Sequence, residues 1–446
     1  MLFSGTRQWV YPMRVTGRFQ RLRRWTFLAL YLVLFLPPWI TIHGHPMLQF
    51  VLEDRRLFAF GAIFTASDSL LLLLLLLFLA FSLFFFTSLF GRLWCGYACP
   101  QTVFLDAWIR PIDQWIEGNW VQRRKRDEGP WTGDKVRRKA AKWTLFLLVA
   151  FVAAMAFMSF FAGARELWTG RAGPVEYSLV GLFTAGWMLD FVWFREQFCN
   201  FLCPYARFQS ALTDDQSLNV MYDIERGEPR GGAAARTEGR CIACSKCVAV
   251  CPQGIDIRNG FQLECIACAR CVDACEDVMG RLGHESLISY RTVAAAQHRP
   301  GRRLRPRTLI YATLLTGIAA AFTALVLTRD PFEATVNRAP GTLFTMDQDG
   351  YVRNTYILRI TNNDPSAAPL PFRVTVEGMT GAQVVAEDVR LGSTESAAVP
   401  LVIRLRASPT MARTIPLRVR VASPTHAKLL EATFKTAGEL ATAGMD

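Results

Sequence analysis

Histidine is scarce in this chain, with five in 446 residues, which makes a haem protein or a histidine-rich catalytic metal centre a poor first expectation. Acidic residues are absent from the first 24 positions, which carry six arginines, among them Arg14, Arg18, Arg21, Arg23 and Arg24. No A-x-A-like cleavage site follows the first apolar stretch, so that stretch reads as a retained helix and not as a secretory signal. Cysteine is missing from residue 329 onward, where no disulfide or thiolate site can therefore be built. The net charge of +13 does not point to nucleic acid, because the basic residues crowd beside apolar runs, where the positive-inside rule accounts for them.

What is abundant is apolar: 51% hydrophobic residues and 32 phenylalanines describe a membrane protein with attached soluble parts. Five spans are expected, at about 25–42, 70–90, 143–164, 177–194 and 308–327, each of a length that crosses about 30 Å of hydrocarbon. Pro37 and Pro38 are expected to kink or end the first near its far side. The loop 91–142 holds eleven Lys and Arg, whereas 43–69 and 163–176 hold two each, so the first is expected inside and the others outside. Arg299, Arg302, Arg303, Arg305 and Arg307 mark the inner end of the fifth span. This arrangement puts residues 1–212 (with four spans) and 213–300 at and inside the inner membrane of a bacterium, 301–328 across it, and 329–446 in the periplasm.

The segment Cys241 to Cys275 contains two C-x₂-C-x₂-C-x₃-C runs, the first followed by Pro252. That spacing is the ligand pattern of a bacterial ferredoxin with two [4Fe–4S] clusters, in which the fourth cysteine of each run crosses to the other cluster. One cluster is assigned Cys241, Cys244, Cys247 and Cys275, the other Cys265, Cys268, Cys271 and Cys251. Zinc seldom needs eight cysteines at this repeat, and disulfides do not suit a cytoplasmic segment. Glu276 stands where a second proline often follows the last cysteine.

Beyond 329 the chain changes character. Phe372–Glu377, Leu401–Arg406 and Ile415–Val421 alternate apolar and polar residues between turn signals, which predicts an all-β, immunoglobulin-like sandwich. It shows no catalytic constellation and reads as a docking or structural module.

The ends of spans two and four repeat each other. Cys95, Cys99 and Pro100 match Cys199, Cys203 and Pro204 at a constant offset of 104 residues, with aromatic flanks Phe90/Phe194, Trp94/Phe198 and Phe104/Phe208. Proline after the second cysteine disfavours helical backbone there, so each span should break at that point, and two such units could bring four thiols together. Soft thiolates suit Cu(I), zinc or iron–sulfur centres; buried cysteines that merely pack are the plain alternative. Copper is preferred, because a copper site beside an electron source can reduce the metal. His43, His45 and Met47 are candidate ligands for arriving copper, against the simpler reading of a short polar loop. Asp190, inside span four, is a candidate because a buried charge is costly, unless it reaches water. Aromatics at span ends read as interface belts.

Together, the basic N-terminus, the paired C-x₃-C-P motifs, the double ferredoxin run, the fifth helix and the β-rich tail resemble the cytochrome c oxidase accessory protein family, also called CcoG, FixG or RdxA, over nearly the whole chain. The resemblance implies reduction of Cu(II) to Cu(I) for assembly of a cbb-type cytochrome c oxidase, with that enzyme or its copper chaperones as partners and an unidentified cytoplasmic electron donor. It makes Cys95, Cys99, Cys199 and Cys203 the candidate copper-handling and catalytic residues. Two other readings compete: a quinol-oxidising membrane ferredoxin subunit of a periplasmic respiratory reductase, which shares the C-x₃-C-P pairs but for which the outer β domain is not expected, and a non-enzymatic oxidase assembly scaffold.

Overall fold

The computed structural model describes residues 9–231, 239–300, 305–365, 368–408 and 410–437. Arg302 and Arg303 of the expected inner arginine cluster lie outside the described residues. The chain forms two compact units, one of residues 1–37 and 70–323, the other of residues 38–69 and 324–446.

In the first unit, helices Ala66–Phe90, Gly133–Ala162, Pro174–Phe194 and Pro306–Leu327 are long and apolar enough to cross a membrane. The third expected span begins earlier than its apolar run. Thr132 caps it by accepting from the Lys135 amide at 3.3 Å, and a basic stretch, Lys135 to Lys142, forms helix before the apolar residues start at Trp143. Buried Ala150, Ala153, Ala154 and Ala156 let this helix approach its neighbour Pro174–Leu189 closely, as small residues do between membrane helices.

The first expected span is corrected at both ends. Its helix covers Arg18–Phe35, and Thr41–Ile42 is a strand paired with His45–Pro46. Pro37 and Pro38 lack the amide hydrogens that a continuing helix needs, which stops it. At the other end the amides of Phe19 and Gln20 donate to the carboxylate of Asp273 at 3.1 and 2.9 Å. A side chain from the ferredoxin segment thus satisfies the first orphan donors of this helix, in the place of a local cap. Gly17 is required there, since a Cβ would lie 2.2 Å from Asp273 Cγ.

The ferredoxin segment is framed by paired strands Asn219–Tyr222 and Ile288–Arg291. Its two cysteine runs repeat with an offset of 24 residues, and the backbone repeats with them: Ala243 and Ser245 in the first run and Ala267 and Ala269 in the second all have left-handed φ of 50–56°. Such a conformation costs about 1–3 kcal/mol for a residue with a side chain. Its recurrence on both sides of Cys244 and of Cys268 bends each run around a common point.

The second unit is a sandwich. One sheet runs Gln383–Ala386, Ser396–Arg406, Tyr351–Asn362, Phe332–Arg338, with Thr345–Met346 also on Tyr351–Asn362; the other runs Val389–Leu391, Leu370–Glu377, Thr414–Ala422, Ala427–Lys435. Along Tyr351–Asn362 Val352, Asn354, Tyr356, Leu358 and Ile360 are buried in strict alternation, and Phe332, Phe372, Leu401, Val419 and Phe434 fill the core between the sheets. Residues 38–69, expected as a loop of the membrane domain, belong to this unit. Arg329 binds Asp68 at 2.6 Å, and Ser67 donates to Glu333 at 2.8 Å.

Candidate electron-transfer site

The cysteines of the ferredoxin segment sort into two cavities. Cys241, Cys244, Cys247 and Cys275 line one, with Tyr222, Leu287 and Ile288. Cys251, Cys265, Cys268 and Cys271 line another, with Cys247 in the wall between. Burial is the main influence on the thiols of Cys247, Cys251, Cys265, Cys271 and Cys275. It pushes Cys247 and Cys265 up to about 12, with Asp256, Cys244 and Cys275 adding to the first and Cys268 and Cys251 to the second. Thiols in such a place keep their protons until metal displaces them. Among the described residues no group of three or more His, Cys, Asp and Glu is placed to hold a single metal ion. Four sulfur donors spread around a largely apolar cavity fit a cluster better than one ion, because each iron of a [4Fe–4S] group takes its own cysteine. Cys244 is exposed, whereas Cys268 is buried, so the two cavities differ in access to water.

The repeated membrane-edge motifs break where proline requires. Cys99 and Cys203 have extended backbone, φ/ψ −63/126 and −72/111, and each is the N-cap of a helix, Pro100–Phe104 and Pro204–Leu212, with proline in its first turn. Cys95 sits on the short helix Leu93–Tyr97 and Cys199 in a π-helical turn, Phe198–Leu202, a rare form often found at functional sites. The four thiols feel one another. Burial, then Cys99, pushes Cys95 up to about 12, with Cys203 adding to this, while burial followed by Cys99, Cys95 and Cys203 raises Cys199. Gln209, fully buried, accepts from Arg92 Nε at 2.7 Å and from Cys95 Sγ at 3.8 Å. Tyr205 exchanges a hydrogen bond with Thr87 at 2.6 Å and packs on Cys95.

The two cysteine regions touch. Cys95, Ile266 and Cys268 form one buried cluster. Between Cys95 and Cys99, Gly96 lies so close to the ferredoxin backbone that a Cβ would be 2.5 Å from the Ile266 carbonyl oxygen and 2.9 Å from Cys268 Cα.

Around this contact lies a buried ion network that the sequence reading missed. Asp106 binds Arg23 at 2.5 Å, Arg110, and Arg270 at 3.5 Å. Burial alone would raise the Asp106 carboxyl, but Arg110, Arg23 and Arg270 hold it well below the usual carboxylate range. Arg23 also donates to the Gly96 carbonyl at 2.8 Å and Arg110 to that of Pro252 at 3.3 Å. A second group joins Asp113 to Arg123 and Arg195 at 3.0 and 2.9 Å. A fully buried Arg23 on the first helix needed an acid within reach, and Asp106, just after the first C-x₃-C-P motif, was the available signal.

The other candidates are placed as follows. Asp190 is buried in a π-helical turn, accepts from Gln101 at 2.9 Å and has its second oxygen unpartnered. Gln101 is two residues from Cys99, which ties Asp190 to the motif. His45 stacks on Phe58 at 4.6 Å and meets Ser393 at 3.4 Å, while His43 occupies a left-handed turn position.

Residues 194–293 match a 4Fe-4S dicluster domain, residues 71–126 a 4Fe-4S binding domain, and residues 322–436 the Ig-like fold at the C-terminus of FixG. Each iron–sulfur match takes in one of the two membrane-edge C-x₃-C-P motifs. The nitrogen fixation protein FixG of Rhizobium meliloti is 35% identical over 424 residues, 84% of this chain and 80% of its own. The proteins RdxB and RdxA of Cereibacter sphaeroides are 36% and 35% identical over 83% of this chain and 83% of theirs. With four apolar helices beside the 4Fe-4S domains, this is a membrane iron–sulfur electron-transfer protein, and the chain belongs to the family of FixG, RdxA and RdxB.

Proposed function

We propose that the protein reduces Cu(II) to Cu(I) at Cys95, Cys99, Cys199 and Cys203, with electrons received from a cytoplasmic donor through the ferredoxin segment. Cys241, Cys244, Cys247 and Cys275 hold one [4Fe–4S] cluster and Cys251, Cys265, Cys268 and Cys271 the other; when bound, these groups supply single electrons. The observation that carries the reading is the packing of Gly96 against Ile266 and Cys268, so close that position 96 has no room for a side chain. Each Cu(II) takes one electron and becomes Cu(I), the softer ion, which thiolates hold and pass to thiolate or thioether carriers. The recipient is a cbb-type cytochrome c oxidase or the copper chaperones that serve it.

Connectivity supports an inside N-terminus with five crossings. Tyr11 donates to Asp127 and the Met13 amide to the Ala249 carbonyl, both at 2.7 Å, so residues 9–17 share a side with the ferredoxin segment. Residues 38–69 belong with the C-terminal β unit, and the scarcity of Lys and Arg in 43–69 favours the outside for both. The helix Arg18–Phe35 therefore crosses too, despite its arginines, and the β unit faces the periplasm.

Metal analysis with EPR on anaerobically purified protein tests this. Wild type and a Cys95/Cys99/Cys199/Cys203→Ser variant should carry the same two cluster signals, with copper retained by the wild type alone. Equal copper in both, with no reduction of Cu(II), would overturn the assignment.

A further inference from the structure

We propose that the buried guanidinium groups of Arg23, Arg110 and Arg270, gathered by Asp106, raise the reduction potential of the cluster held by Cys251, Cys265, Cys268 and Cys271 above that of its neighbour, and so direct electrons toward the membrane. The inference rests on the cluster assignment of the proposed function and not on copper as the acceptor.

Reduction adds a negative charge to a cluster that four thiolates already make anionic. In a buried cavity that charge is poorly solvated, so burial by itself lowers the potential. The inner cavity is the buried one, while the outer has Cys244 in solvent. Left uncorrected, the step from outer to inner cluster would run uphill.

The charges around the two cavities correct this. At the inner one, Arg23, Arg110 and Arg270 are 0%, 7% and 7% exposed, and guanidinium stays charged when buried. Arg270 precedes Cys271, lines the cavity, and has its Nε without a partner. Arg110 reaches the carbonyl of Pro252 beside Cys251, and Arg23 that of Gly96 against Cys268. The acids paired with these three cations are Asp106 and Glu196, the latter at 3.6 Å from Arg110, so the ion-paired group carries one positive charge in excess, while the nearby Asp273 carboxylate is taken up by the amides of Phe19 and Gln20. At the outer cavity Arg258 binds Asp256 with hydrogen bonds of 2.9 and 2.7 Å, and Lys246 meets Asp277 at 3.3 Å, an acid it shares with Arg281. Lys246, Asp277 and Arg281 reach solvent, so water screens their charges in a way the inner arginines do not experience.

An EPR-monitored redox titration of the full chain in detergent tests the proposal, the inner signal being the one that Cys268→Ser removes. In the wild type the inner cluster has the higher midpoint. Arg270→Gln should lower that midpoint alone by about tenfold in the reduction equilibrium, about 59 mV for one electron, and Arg270→Lys should recover most of the shift. Glu196→Gln, which removes an acid with a single long contact, should move the same midpoint up and remains readable if Arg270→Gln fails to assemble its cluster. Midpoints that stay still, that move together, or that place the inner cluster below the outer in the wild type would overturn the proposal. Shifts as expected in a protein that fails to reduce Cu(II) would overturn the choice of acceptor and leave this charge role standing.

Discussion

Three segments of this chain obey one rule, C-x₃-C-P, and end in two kinds of surroundings. In Cys247–Cys251–Pro252 the motif closes a run whose left-handed residues wrap the cysteines around enclosed cavities. In Cys95–Cys99–Pro100 and Cys199–Cys203–Pro204 there is no such wrap. Each helix breaks at the second cysteine, and thiols from two distant segments come near enough for Cys203 to act on Cys95 and for Cys95 and Cys99 to act on Cys199. The first arrangement suits a resident group held on all sides, the second a metal that arrives and leaves. A site made by packing also depends on its neighbours, here Gln209, Tyr205 and the ferredoxin backbone.

That contrast can be broken most severely with Cys268→Ser. Because Cys268 both lines the inner cavity and packs on Cys95, the variant should lose one cluster signal by EPR and all Cu(II) reduction, while Cys241 to Cys247 keep theirs. Retained reduction would show that electrons bypass the inner cavity.

Gly96→Val should have a smaller effect on the same path. Its side chain collides with Ile266 and Cys268, and overpacking of this kind costs about 1–3 kcal/mol. Both clusters should stay, measured as iron content, while reoxidation by Cu(II) slows; an unchanged rate would mean that the contact is not the route. Gly17→Ala should loosen the seat of the first helix on Asp273, detected as faster protease cleavage near residue 17 with cluster signals kept.

The smallest effect on electron transfer belongs to Leu401→Ala. Fully buried in the sandwich core, it should destabilise the β unit by about 2–5 kcal/mol. Cu(II) reduction by the purified protein should be unaffected, and a loss would give that unit a part in the chemistry.

The β strands and both cysteine motifs were legible in the sequence because each is local. Period-two alternation decides a strand such as Ile415–Val421, and proline decides where Cys99 and Cys203 leave the helix. The extent of the first helix was not legible, since its cap, Asp273, lies more than 250 residues away. The same holds for Asp106, whose three arginines come from residues 23, 110 and 270. In hydropathy terms a buried ion looks like an exposed one, and only the fold shows which cations share an acid. Residues 38–69 looked like a loop because their strands are two to four residues long and pair only with one another, while the side-chain contacts that join them to the C-terminal segment, such as Asp68 to Arg329, come from far along the chain.

The central claim is that electrons pass from the ferredoxin cysteines to the four membrane-edge thiols. It is tested most directly by mixing the anaerobic, reduced full chain with Cu(II) and following cluster reoxidation, in the wild type and in the Cys95/Cys99/Cys199/Cys203→Ser variant with its clusters intact. The account predicts reoxidation in the wild type with one Cu(I) formed per electron lost, and clusters that stay reduced in the variant. Equal reoxidation in both would contradict it.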